Sequence, residues 1–127
     1  MTNARSIINS LKKHWRIVED YLAGAEISIE ELRRTFVAIR ELLSDFSNKI
    51  LSSDLPSEIR SLFQRDVGDF ESHLATIASF MELSAFAFKD KKTLNDLLRA
   101  FINARIRSIL PSIRFSLYER IAELIDL

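Results

Sequence analysis

The chain has no cysteine, two glycines and two prolines in 127 residues, and its 18 Lys+Arg balance its 18 Asp+Glu. Without cysteine there is no disulfide framework, no thiolate nucleophile, no Cys-ligated zinc and no iron–sulfur cluster. So little Gly and Pro nearly excludes turn-rich β architectures. Zero formal net charge argues against a polybasic nucleic-acid arm and against an acidic solvating tail. No Gly-rich phosphate loop, no H-E-x-x-H or E-x-x-H and no G-x-S-x-G occurs, which removes the usual nucleotide, zinc, carboxylate-bridged and serine-hydrolase signatures. The residues from Met1 to Arg16 include no apolar signal core. The most apolar stretch, Ile77 to Phe88, is far shorter than the roughly 20 residues that span a bilayer. A soluble cytoplasmic protein is the expectation, with no membrane partner and no cofactor.

What is present is helix. Apolar residues make up 47% of the chain, enough for a core in a single domain over 1–127. Ala4, Ile8, Leu11, Trp15, Val18, Leu22 and Ala25 alternate spacings of four and three, a heptad seam. It predicts a helix from about Asn3 to Ala23, stopped by Gly24. Ser28 and Glu31 form a capping box for a second helix. Its seam is Ile29, Leu32, Phe36, Ile39, Leu43, Phe46 and Ile50, so residues 1–51 read as an antiparallel helical hairpin.

From 55 to 127 the pattern continues. Pro56 opens a third helix, whose apolar positions Ile59, Phe63, Val67, Phe70, Leu74, Ile77 and Met81 keep phase across Gly68. Lys89 to Lys92 is a charged turn. Thr93 and Asp96 repeat the capping pattern before a fourth helix bearing Leu94, Leu98, Phe101, Ile102, Ile106 and Ile109. Pro111 breaks that helix. Ser116 and Glu119 suit a third capping box, for a short last helix with Leu117, Ile121, Leu124 and Ile125. No segment alternates with period two. The fold expected is all-α, an antiparallel helical bundle of four main helices plus a short C-terminal helix.

Three groups of residues stand out. Ile77 to Phe88 is apolar at nine of twelve positions, and Phe80, Met81, Leu83, Phe86 and Phe88 point in several directions around a helix. Such a segment either plugs the core or meets another chain; Phe86 and Phe88 are the candidate interface anchors. Between Lys89 and Tyr118 seven bases outnumber two acids. Arg99, Arg107 and Arg114 are spaced eight and seven apart and, with Arg105, make a candidate basic stripe for nucleic acid or an acidic partner. Its structural alternative is internal pairing with the acidic stretch from Glu41 to Glu71. Asp66, Asp69 and His73 are the best ligand-like set, because Asp69 and His73 lie one helical turn apart. A fourth ligand is not visible, and the plain reading is a solvated helix face with an i,i+4 Asp–His contact.

The second half resembles the helical domain of archaeal GINS subunits, scaffold proteins of the replicative helicase complex. A Pro-led helix precedes a long arginine-bearing helix with Arg105 and Ile109 at matching places, then Ser116-Leu117-Tyr118-Glu119. Ser108 stands where that family carries a lysine, and the family's small β-domain has no counterpart here. The resemblance implies assembly without catalysis. From residues and resemblance together, the expectation is a non-enzymatic interaction or assembly subunit. Its partner is a protein or a second copy, with nucleic acid the alternative.

Overall fold

Asn3 starts the first helix by accepting from the Ser6 N–H at 2.8 Å, the usual way a short polar side chain satisfies a free helix-end donor. The computed structural model describes residues 2–127 and forms α1 (Ala4–Leu22), α2 (Ile29–Leu51), α3 (Ser57–Ala87), α4 (Lys91–Ile109) and α5 (Pro111–Ile125), with no strand among the described residues. The fold is all-α.

Helix ends follow local chemistry. Gly24 takes φ +106° behind α1, where the Gly24 N–H donates to Tyr21 O and the Ala25 N–H to Asp20 O. That is a Schellman stop, and it needs the positive φ that glycine adopts freely. Ser28 Oγ accepts from the Glu31 N–H at 3.0 Å, the half of the capping box that the structure forms. Pro56 is the residue before α3, and Gly68 does not interrupt that helix.

Two predicted starts move. α4 begins at Lys91, two residues before Thr93. Its cap is Asp90, which accepts from the Thr93 N–H (3.1 Å) and hydroxyl (2.6 Å). These bonds favour the ionised carboxylate and lower its pKa. α5 is longer than expected. A right-handed conformation at Leu110 is disfavoured by the proline that follows it, and Leu110 adopts φ 44°, ψ 63°. The next helix then restarts at once with Pro111 as its first residue. Ser116 and Glu119 therefore lie inside α5 rather than opening a helix.

All five helices contribute to one core. α1 packs on α2 and α5, and α3 on α2 and α4. Phe80 of α3 stacks on Phe101 of α4, while Phe63, further back along α3, meets Tyr118 of α5. Thus α4 and α5 lie end to end, antiparallel to α3. Trp15 joins the halves, edge-on to both Phe70 and Phe115.

The heptad seams hold with drift. Tyr21 and Ile7 are buried, whereas Leu22 is half-buried and Ala25 exposed. An α-helix slips about 20° per heptad against a strict 3.5-residue repeat, so position 21 turns inward by the end of α1. Ile59 is exposed and Phe63 half-buried at the open end of α3. On α5, Phe115, Tyr118, Ile121 and Ala122 are buried, while Leu117 and Leu124 face solvent.

Candidate interaction surface

The apolar segment at the end of α3 divides residue by residue. Met81 is buried, and Ser84 beside it returns its hydroxyl to Phe80 O at 2.5 Å. Phe80 is half-buried, its ring parallel to Phe101 at 3.8 Å between centroids. Leu83 is 71% exposed, Phe86 91% and Phe88 41%. The segment is therefore core on one side and open surface on the other. Met81 belongs to the core and is withdrawn from the candidate interface. Met81 and Ser84 lie on the side of α3 turned to the core, and Leu83 and Phe86 on the side turned away from it.

The basic stripe does not form one surface. The Arg99 Nε–H donates to Tyr21 O and its Nη2 to Ala25 O, both at 3.0 Å, with the guanidinium 4.7 Å from the Tyr21 ring centre. It caps the end of α1, where free carbonyls and the helix dipole favour a cation. Burial raises the Tyr21 pKa despite the Arg99 charge. Arg114 reaches α3, donating from Nη2 to Asp69 (2.6 Å) and from Nε to Asp66 (3.3 Å). Arg105 is half-buried, and its buried Nε has no hydrogen-bond partner. Arg107 is exposed.

Arg114 also accounts for the acid–histidine group. Its guanidinium sits between the carboxylates of Asp66 and Asp69, where a bound cation would otherwise stand. Asp66 further accepts from the Tyr118 hydroxyl at 2.5 Å, and His73 Nε2 lies 3.7 Å from Asp69. Burial, followed by this bond to Asp66, raises the Tyr118 pKa. The arrangement fastens α5 to α3. Among the described residues no group of three or more acidic or histidine side chains is set to hold a metal ion.

Two other surfaces could receive a ligand. An open groove of about 710 Å³ runs between α1 and the α4–α5 joint, over Trp15, Ile106, Pro111 and Phe115. Its rim mixes Lys13 and Arg16 with Glu19, and the Lys12–Glu119 ion pair crosses it. It holds no histidine and no free pair of carboxylates, so it brings together no acid–base or nucleophilic set. α5 exposes Ile113, Leu117 and Leu124, but Arg120 falls between the last two on the same helical face. The end of α3 is the more apolar and less charged surface. Its clue in the sequence was an apolar excess too large for one buried stripe; α5 carried a weaker form of the same signal. No helix among the described residues is long and apolar enough to cross a membrane. Comparison with known protein families, with curated proteins and with solved structures finds no match.

Proposed function

We propose that this chain is a non-enzymatic helical interaction subunit that docks through the outer side of the α3–α4 end. The observation that carries this reading is Phe86, 91% exposed only five positions beyond buried Met81. Exposed aromatic side chains in a contiguous apolar patch mark interaction sites more often than they mark ordinary surface. Leu83 and Phe86 are not among the apolar residues packed on the core, so replacing them should cost the fold little. The nucleic-acid reading draws less support, since Arg99 and Arg114 are engaged within the fold and only Arg105 and Arg107 remain.

The test is affinity purification from the native host after nuclease treatment, comparing the wild-type chain with Leu83→Glu/Phe86→Glu. Species retained by the wild type, including untagged copies of the chain, are expected to be lost with the double variant. Its thermal midpoint should stay near that of the wild type. An unchanged set of retained species would overturn the reading. Replication proteins among those lost would make the chain a scaffold of the GINS kind.

A further inference from the structure

α5 carries two seams. Pro111, Phe115, Tyr118, Ala122 and Ile125 are spaced four and three apart and turn to the core. Ile113, Leu117, Arg120 and Leu124 keep the same spacing on the opposite side, and Leu110 and Leu127 extend it past the two ends of the helix. All six are exposed. A surface helix needs only the inner seam to hold its place. Leu110 is also held at φ 44°, a backbone conformation that strains a bulky residue. Glycine would relieve that strain, yet an exposed leucine stands there. Arg120 is the one charge on the outer stripe, and among the described residues it forms no ion pair. On the flank towards α1 stand Ser112, Ser116, Glu119, which is tied to Lys12, and Glu123, which shares a cleft with Arg5 and Lys12. On the flank towards α3, Arg114 is held by Asp66 and Asp69, and Ile121 is buried. Leu62 is exposed there, one turn from Asp66, with Glu58 and Arg65, of opposite sign, a turn to either side.

We infer that the outer stripe of α5 docks an amphipathic helix of a partner protein whose apolar seam carries an acidic residue opposite Arg120. Side chains stepping three and four apart along a helix match the ladder of another helix, and such anchors are how helices dock. One unpaired cation within an apolar seam is complemented by one carboxylate, and a polar seam residue of this kind fixes the register of the pair. A second copy does not supply that carboxylate. Two-fold pairing along the whole stripe brings the two Arg120 side chains within about one turn of each other, and like charges so placed repel. Lipid surfaces and nucleic acid are bound through basic flanks, whereas Glu119 and Glu123 line one flank here. The stripe lies on α5, apart from the α3–α4 end. The inference therefore does not depend on the reading above, and it gives the chain a second docking side.

Fluorescence anisotropy of a labelled synthetic helix, titrated with the full chain, tests this. The probe is about three heptads long, with leucine along its seam and glutamate at the central seam position. A second probe carries lysine at that position. The glutamate probe is expected to bind in the micromolar range, and the lysine probe about threefold or more weakly. Leu117→Glu should weaken binding of the glutamate probe by about tenfold or more. Arg120→Glu should reverse the preference between the probes. Both positions are exposed, so circular dichroism and thermal midpoint should not change. Leu83→Glu/Phe86→Glu should bind the probes as the wild type does. Failure of both probes to bind the wild type overturns the inference. So does binding that Leu117→Glu leaves intact, or a preference that Arg120→Glu leaves unchanged. A wild type that dimerises in sedimentation velocity, and is monomeric as Leu117→Glu, would assign the stripe to a second copy and also overturn it. The α3–α4 reading survives each of these results, because only the loss of retained species with Leu83→Glu/Phe86→Glu tests it.

Discussion

Asp126 caps the helix that begins at Ala4. Its two carboxylate oxygens accept from the Ala4 N–H at 2.9 Å and the Arg5 N–H at 3.0 Å. The end of α5 thus supplies the anion that the first turn of α1 lacks among its own residues, where free N–H groups and the helix dipole favour negative charge. Asp126→Ala should lower unfolding stability by about 0.5–2 kcal/mol, the usual cost of losing a cap. Asp126→Asn should recover part of it. Urea denaturation of the three proteins checks this. Equal midpoints would mean that water serves these donors as well.

Arg114 is the second tie between distant segments. Its side chain is 16% exposed and bridges Asp66 and Asp69. Arg114→Ala leaves two carboxylates one helical turn apart with no cation between them. We expect a loss of about 1–3 kcal/mol, in the range for hydrogen bonds to charged groups. Arg114→Lys should recover little, because an ammonium cannot copy the fork that serves both partners. Full recovery by lysine would reduce the contact to simple charge.

Gly68 lies inside α3, and a Cβ added there would meet nothing within 4 Å. Gly68→Ala should therefore stabilise the chain by about 1 kcal/mol, the difference in helix propensity. A destabilised variant would show that the glycine serves a bend or a close approach in solution.

Both tyrosines of the chain, Tyr21 and Tyr118, have pKa values raised above the usual 10.0. In each case burial disfavours the phenolate most. Above that pH the unfolded chain releases protons that the folded chain keeps, so the folded state binds more protons and stability falls as pH rises. Stability from these two groups is complete below about pH 10 and is lost above it. Phenolate absorbance should rise at higher pH in the helical protein than in the unfolded chain. In strong denaturant both rings should titrate near the ordinary value. A ring that reaches its ionisation midpoint at the ordinary value in the helical protein would contradict the burial described here.

What could be read from the sequence were features with local causes. Seams spaced three and four apart, Gly24 as a stop, Ser28 as a cap and Pro111 as a break concern residues within one or two turns. They sufficed for an all-α bundle and for most helix bounds. The misplaced starts were local competitions: Asp90 and Thr93 are both good caps, and Pro111 can open a helix as readily as end one. The candidate surface was only half legible. Composition marked Ile77 to Phe88 as too apolar for a single buried stripe, but not which side of it was covered.

Tertiary structure decided the rest. Arg99 meets Tyr21 and Arg114 meets Asp66 across separations of 78 and 48 positions, and no periodicity encodes such a meeting. A charge stripe in sequence became two internal ties because the ends of α1 and α4 adjoin and because α5 lies along α3. Met81 and Phe86 have similar apolar character, but five positions turn them to different sides of α3, and only the packed fold shows which side is covered. Local sequence determines where helices begin, end and turn their apolar faces, since backbone hydrogen bonds and capping act over a few residues. Which charges pair and which apolar residues stay open depends on how the helices pack together.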